Sequence, residues 1–299
     1  MDSQENPKIL AIIGPTAVGK TSLAITLAKK YDGEIISVDS RQVYKTLDIG
    51  TEKITEEEMQ GVPHYLIDIC EPEEVMTAQQ FQKIAREKIE DILKRNKTPI
   101  LAGGTGMYLE STLYDITFPE VPPNASLREE LEQLSTEKLF EKLKEEDPDR
   151  AKTADAHNRR RLIRALEIID AIGAVPPPKK GPLLYDALIL GLSIERDELR
   201  ERITKRLDQA LARGLIEEIT LVRDRVGEER AKEFGLEYAI GISFLNNHLS
   251  EPEMREKMVT ELMRYAKRQM TFLKRNNDIV WVSDPEEAEQ KADLFLNAN

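Results

Sequence analysis

Six short apolar runs punctuate the chain, and the spacing of apolar positions changes between them. "KILAII" (8–13), "GEIISVD" (33–39), "HYLIDI" (64–69), "TPILAGG" (98–104), "DALILGL" (186–192) and "DIVWVS" (278–283) carry their apolar residues in near-continuous blocks bounded by polar or turn residues. Blocks of that length without strict alternation suit strands covered on both faces, as in a parallel sheet. Gly19 to Lys30, Thr77 to Lys94 and Gly106 to Leu113 instead repeat apolar residues at helical spacing. Strand and helix therefore alternate, which predicts an α/β fold: a parallel sheet flanked by helices and joined by right-handed crossovers.

The middle of the chain breaks the alternation. From Tyr114 to Leu184 no run reads as a strand. "PEVPPNASLREEL" (119–131) is a proline-marked start with Asn124 or Ser126 as helix cap, and helical stretches follow up to "RRRLIRALEIIDAIG" (159–173). "VPPPKKGPLL" (175–184) then interrupts the chain again. The expected organisation is an α/β core from 1–114 and 185–299, with an all-helical insertion over 115–184. After the fifth run the core turns helical, through "ERDELRERITKRLDQALARGLIEEI" (195–219) and "EPEMREKMVTELMRYAKRQMTFLKR" (251–275). No internal repeat and no low-complexity tract is visible.

Composition narrows the classes of function. The 299 residues are 40% apolar and 33% charged, as expected of a packed core with a solvated surface. The polar start "MDSQENPKIL" has no signal-peptide pattern, and no stretch reaches the roughly 18 apolar residues of a membrane span. The single cysteine, Cys70, excludes an internal disulfide framework and a multi-cysteine zinc site. A reducing cytoplasm and a monomer are the expectations. The net charge of −12 argues against a non-specific nucleic-acid binder. The charge is uneven, however. "HNRRRLIRA" (157–165) is basic, and "RYAKRQMTFLKR" (264–275) holds five basic residues and no acid. A local basic surface of that kind can hold RNA on an acidic protein.

"GPTAVGKT", comprising Gly14, Pro15, Thr16, Ala17, Val18, Gly19, Lys20 and Thr21, follows the first predicted strand and opens the first predicted helix. This is the phosphate-binding loop pattern in its required context: glycines let backbone N–H groups face phosphate oxygens, Lys20 adds a point charge, and Thr21 offers a hydroxyl to Mg²⁺. Asp39 ends the second run and would sit on the ligand-binding edge of the sheet, as a base, a metal ligand or simply a cap for the following turn. "AGGTGMYLES" (102–111) is a second glycine-rich turn on that edge; Thr105 there could meet a ligand or cap a helix. Arg160, Arg161 and Arg164 share one side of a helix whose opposite stripe contains Leu162, Ala165, Leu166 and Ile169. Lys267, Arg268, Lys274 and Arg275 alternate with Tyr265, Met270 and Phe272, favouring an RNA surface over a solvated face. Arg202 is not distinguished locally from Arg200 or Arg206. His64, His157 and His248 are scattered and lack metal-ligand spacing.

"GPTAVGKT", "DSRQVY", "GTEK", "GVPHYLID", "GGTGMYL", "RRRLIRALE", "RITKRLDQALARGLIEE" and "YAKRQMT" follow one another from residue 14 to about 275. Together the series resembles the tRNA dimethylallyltransferase family, whose fold is a P-loop NTPase-like sheet with a helical insertion. The resemblance implies that the loop holds dimethylallyl diphosphate rather than a nucleotide, and that the acceptor is the exocyclic amine of the adenine 3′ of a tRNA anticodon. It implies Asp39 as general base, with Thr16 and Arg202 stabilising the leaving pyrophosphate and Mg²⁺ at Thr21. It further implies tRNA contacts from Asp39, Ser40, Arg41, Gln42, Thr105, Arg128, Arg160, Arg161, Leu162, Ile163, Arg164, Tyr238, Gly241, Lys267, Arg268, Gln269, Thr271 and Lys274. Three departures from the family pattern, Ile54, Ile242-Ser243 and Phe272, fall at predicted RNA contacts or core edges. The lone cysteine excludes the zinc finger of eukaryotic relatives, so the chain resembles the bacterial type. On residues alone three rivals stand beside this reading: a small-molecule kinase, a prenyltransferase of free adenosine phosphates, and a non-catalytic RNA-binding P-loop protein.

Overall fold

A computed structural model of the chain describes residues 6–176 and 180–298. Pro177 and Pro178, part of the second expected hinge, and the polar start before Asn6 lie outside the described residues. The chain divides into two compact units: one runs through Tyr114 and resumes at Pro182, and the other is Asp115–Gly181.

The larger unit begins with β1 (Lys8–Ile13), α1 (Lys20–Lys30), β2 (Gly33–Ser37), α2 (Glu56–Met59), β3 (His64–Tyr65), α3 (Ala78–Lys94), β4 (Thr98–Gly103) and α4 (Gly106–Leu113). Strand β1 is as buried as its sequence demands: Ile9 to Ile13 are fully enclosed. Helix α3 starts at a capping box in which Thr77 and Gln80 satisfy each other's backbone N–H groups. It places Phe81, Ala85, Ile89 and Ile92 on one inward stripe, and Phe81 stacks on Tyr108 of α4 at 3.8 Å between ring centres.

The chain then leaves through β5 (Tyr114–Ile116) into α5 (Ala125–Glu132), α6 (Thr136–Glu146), α7 (Pro148–Thr153) and α8 (Arg159–Ile172), and comes back through β6 (Lys180–Leu183). Between the candidate caps the structure chooses Asn124, whose side chain accepts from the Leu127 N–H. Leu131, Leu139, Leu143, Leu162 and Leu166 build a small separate core in this helical unit. Strands β5 and β6 pair with each other, in a stretch expected to hold no strand. They are three and four residues long, and β6 contains Gly-Pro, so neither shows a readable alternation.

The chain continues through β7 (Asp186–Leu192), α9 (Arg196–Ala212), α10 (Leu215–Val226), α11 (Glu228–Lys232), α12 (Leu236–Leu245), α13 (Glu251–Leu273), β8 (Ile279–Val282) and α14 (Pro285–Asn297). The main sheet has the order β3-β2-β4-β1-β7-β8, and each neighbouring pair in it is parallel. Of "HYLIDI" only His64 and Tyr65 pair; Leu66 and Asp68 adopt left-handed backbone angles (φ 62° and 56°) that end the strand. Parallel strands point their carboxyl ends to one edge, so the segments after β1, β2 and β4 emerge side by side. Among the described residues no helix is long and apolar enough to cross a membrane.

Candidate active site

The segment after β1 is the phosphate loop. Gly19 caps α1 at φ 100°, a left-handed angle that glycine adopts without strain, and no side chain occupies the cap. The first N–H groups of α1 are thus left for an external anion. The Lys20 ammonium folds back onto the Pro15 carbonyl at 2.6 Å. Burial pushes its pKa down to about 8, against the pull of the nearby Asp39 carboxylate and with a further push from Arg206. Ala17 is held at φ 63°, a conformation uncommon outside glycine and typical of a backbone shaped for a ligand.

The segment after β2 carries Asp39. Its Oδ1 accepts from the Arg41 N–H at 2.8 Å and the Gln42 N–H at 3.4 Å, so the carboxylate closes a tight turn. The turn is fastened to the segment after β4: the Ser40 N–H donates to Thr105 Oγ1 at 3.0 Å. Thr105 stands at the start of α4, but its hydroxyl makes no cap there. Gln269 of α13 fastens the remaining pair. Its Oε1 accepts from the Thr16 N–H at 3.2 Å, and its Nε2 donates to the Gly104 carbonyl at 3.0 Å. Three loops far apart in sequence are therefore one hydrogen-bonded edge.

A fourth segment, 48–53, forms the opposite lip. The Glu218 carboxylate accepts from the N–H groups of Asp48, Ile49 and Gly50 at 2.7 to 2.9 Å and from the Tyr238 hydroxyl at 2.7 Å. Buried Lys53 ties Asp48 (2.6 Å) to Asp68 (2.5 Å) and reaches the Tyr44 carbonyl. Gln42 donates its amide to the Thr51 and Glu52 carbonyls. The Glu52 side chain points back at the phosphate loop: Oε2 lies 3.4 Å from Thr16 Oγ1 and is ion-paired with Arg206.

Helix α9 buries Leu199, Ile203 and Leu207 at four-residue spacing. That leaves Arg202 and Arg206, also four apart, on an adjoining stripe. Arg202 reaches the Ala17 and Val18 carbonyls at 3.5 Å and pairs with Glu198 at 2.5 Å. Arg206 lies deeper, 3.5 Å from Thr16 Oγ1, and burial pushes its pKa down to about 10. Burial also raises Glu237 to about 7 despite Arg41 and Arg206 nearby. These segments enclose a cleft of 1440 Å³, lined among others by Thr16, Lys20, Thr21, Asp39, Glu52, Arg202, Arg206, Glu237 and Gln269. The sequence reading passed over Arg206, Glu52 and Glu237. The four-residue offset from Arg202 was the signal available for Arg206; nothing local marks the two acids, which the fold brings in.

The residues expected at the RNA surface divide. Arg160, Arg161, Lys267, Arg268, Thr271 and Lys274 are exposed, while Ser40 and Arg41 are half-buried in the Asp39 turn. Arg41, Arg268 and Gln269 line the cleft. Leu162, Ile163, Tyr238 and Gly241 are interior and are corrected to packing residues. Leu162 and Ile163 belong to the core of the helical unit, Tyr238 is fully enclosed, and a Cβ on Gly241 would meet Ile219 Cδ1 at 2.5 Å. Arg128 and Arg164 have a partner within the protein and stay partly exposed. Both grip the buried Glu167, Arg128 with two bonds of 2.6 and 2.9 Å and Arg164 at 3.4 Å, and Arg164 also donates to the Val121 carbonyl. The arginine stripe of α8 is thus not free of compensating acid.

A family model described as IPP transferase matches residues 42–276. The tRNA dimethylallyltransferase of Bacillus cytotoxicus is 40% identical over 307 aligned positions, covering 99% of this chain and 96% of that protein. That of Anoxybacillus flavithermus is 43% identical, covering 92% and 89%. Among solved structures, the full-length tRNA isopentenylpyrophosphate transferase of Bacillus halodurans superposes with a TM-score of 0.72 at 37% identity, over 97% of this chain and 95% of that one. A eukaryotic dimethylallyltransferase acting on tRNA gives 0.80 at 30% identity, over 97% of this chain and 79% of that one. With the family model over most of the chain and relatives of about 40% identity along nearly its whole length, the chain belongs to the IPP transferase family, in its bacterial form.

Proposed function

We propose that the protein transfers a dimethylallyl group from dimethylallyl diphosphate to the exocyclic amine of the adenine 3′ of the anticodon in tRNA, releasing pyrophosphate. The observation that carries this is the locked edge: a phosphate cradle and the Asp39 carboxylate share one cleft of 1440 Å³, roomy enough for a base beside a five-carbon diphosphate. The adenine amine is a weak nucleophile because its lone pair is delocalised into the ring. As that pair bonds to the allylic carbon, the carbon–oxygen bond breaks towards an allylic cation and its electrons leave with pyrophosphate. The nitrogen becomes acidic and passes its proton to Asp39. Charge grows on the departing oxygens, where the α1 N–H groups, Lys20, Thr16 and Arg202 can meet it.

Mg²⁺ suits the same place. Thr21 stands exposed at the start of α1 and lines the cleft. Among the described residues no group of three or more His, Cys, Asp or Glu is placed to hold a metal. A thin protein donor set fits Mg²⁺, which keeps several waters and takes oxygens from a bound phosphate. Bound by Thr21 and the diphosphate, the ion would neutralise leaving-group charge. The target base must leave its stack to reach the cleft. The exposed cations of α13 offer the core a face for RNA phosphates, and those of α8 offer one within the helical unit.

Incubation with dimethylallyl diphosphate and unmodified tRNA, followed by nucleoside mass analysis, should show the mass of one dimethylallyl group on adenosine. Transfer of label from the γ-phosphate of ATP to a small acceptor would overturn the reading in favour of a kinase. Asp39→Asn keeps an oxygen for the Arg41 and Gln42 N–H groups but cannot take the proton. It should abolish transfer while tRNA still binds; near-normal turnover would remove Asp39 as base.

A further inference from the structure

Arg206 and Glu52 form an arrangement that the transfer reaction as described does not use. The Glu52 carboxylate is held by a guanidinium and lies within reach of a phosphate-loop hydroxyl, Thr16 Oγ1 at 3.4 Å. Arg206 in turn lies 3.5 Å from that same hydroxyl. One guanidinium and one loop hydroxyl around a single oxygen are the donor set that a phosphate oxygen takes. The backbone of the Glu52 segment is fixed independently of this side chain, by Glu218 at residues 48–50, by Gln42 at the carbonyls of Thr51 and Glu52, and by Lys53 at Asp48. Glu52 itself sits at φ 52°, a left-handed angle uncommon outside glycine. The two side chains are each about one-third exposed, at 34% and 33%, so the pair faces the open cleft and can part without unpacking a core. The charged groups around Arg206 are Glu52, Glu237, Asp39 and Lys20.

We propose that the Glu52 carboxylate is a built-in stand-in for a phosphate oxygen, and that Arg206 passes from it to the diphosphate when substrate binds. The inference rests on the reading of the phosphate loop as a diphosphate seat. Arg206 becomes a second cation on the leaving group beside Arg202, one helical turn away. Glu52 becomes the residue that sets the anion threshold of the seat. A ligand must offer enough charge to take Arg206 from a carboxylate, which a diphosphate does better than inorganic phosphate. When pyrophosphate is to leave, Glu52 is placed to reclaim Arg206.

The test is calorimetric titration of inorganic pyrophosphate and of inorganic phosphate into the wild type, Glu52→Gln, Arg206→Gln and the double variant, with prenyl transfer to tRNA assayed on the wild type in parallel. Glu52→Gln keeps the shape and removes the charge, so pyrophosphate should bind about five- to tenfold tighter, with phosphate gaining at least as much. Arg206→Gln should weaken pyrophosphate about ten- to a hundredfold. The double variant should match Arg206→Gln, because the gain from losing Glu52 acts only through Arg206. Pyrophosphate binding that is unchanged or weaker in Glu52→Gln overturns the proposal. A gain that persists in the double variant also overturns it. A wild type that fails to modify tRNA refutes the proposed function instead, and the two failures are read from separate measurements.

Discussion

Gln269 separates two accounts of the "YAKRQMT" stretch. As an RNA contact it would matter for tRNA; as the structure has it, its amide joins the phosphate loop to the glycine turn. Gln269→Leu preserves bulk and deletes both bonds, the 3.2 Å bond from the Thr16 N–H and the 3.0 Å bond to the Gly104 carbonyl. Each is half-buried and worth about 1 kcal/mol, with an added penalty if the orphaned group stays dry. About 2 kcal/mol of lost loop positioning corresponds to roughly a thirtyfold fall in kcat/KM. The fall should appear when dimethylallyl diphosphate is varied at saturating tRNA, because the loop that loses its anchor is the one that holds phosphate. The KM for tRNA should move less than twofold. A variant with a raised KM for tRNA and unchanged kinetics for the diphosphate would refute the brace and restore the RNA contact.

Three further outcomes follow from the geometry. Since burial lowers Lys20 to about 8, the free enzyme holds an ammonium there below that pH and a neutral amine above it. Diphosphate affinity should therefore weaken as pH rises past 8, and binding at pH 8 should draw a fraction of a proton from buffer, measurable as a buffer-dependent binding enthalpy; equal enthalpies in all buffers would refute this. The stability sign is opposite: between 8 and 10.5 the unfolded chain binds more protons at Lys20, so its cost to folding shrinks as pH rises through that window. In the helical unit, burial alone would raise Glu167, but Arg128, the Asn124 N–H and Arg164 outweigh it and hold the carboxyl below its usual range. Glu167→Ala should destabilise α5 and α8 by about 2–3 kcal/mol, discounted because both arginines are partly solvated, and hydrogen exchange in those helices should accelerate. Unaltered protection would remove Glu167 as the counter-ion that holds the two helices together. Finally, replacing exposed Arg160 and Arg161 together by Gln should reduce the slope of log affinity for tRNA against log salt by about 1.5, and an unchanged slope would make that face a merely solvated one.

The parts of the fold that could be read from sequence were those whose cause is local. β1 emerges over 8–13 because five consecutive enclosed residues leave no polar position to mislead. The phosphate loop was legible because its chemistry fixes glycines at set spacing. The pairs β5–β6 and Glu52–Arg206 depend on residues far apart in sequence, and no pattern in either member announces the other. Tyr238 and Gly241 show the converse limit. Motif resemblance marked them as functional, and the fold uses them as packing, Tyr238 under the Gly50 backbone and Gly241 against Ile219. The pairing of Arg164 on α8 was hidden for an electrostatic reason. A helical wheel shows the cations at 160, 161 and 164 but treats Glu167 as one more polar residue, whereas burial makes it a counter-ion for two of the basic groups around it.

Asp39 was open to three readings, a base, a metal ligand and a cap; the structure shows the capping bonds, and these are compatible with the proposed base. An unrestrained carboxylate on a loop would rotate, and each rotamer that misses the amine would cost rate. Here Oδ1 is committed to the Arg41 and Gln42 N–H groups, and the turn is tied through Ser40 to Thr105 and so to the start of α4. The structural bonds thus orient the carboxylate. The same logic extends around the cleft. Gln269 fixes the phosphate loop to the Gly104 turn, and Gln42, next to Asp39 in the turn, holds the lip that carries Glu52. The Asp39 turn, the phosphate loop and the lip are coupled through side-chain amides and hydroxyls, which do not titrate. The titratable groups Lys20, Arg206 and Glu237 are left to face one another across the cleft, where a bound diphosphate changes the field they all sense.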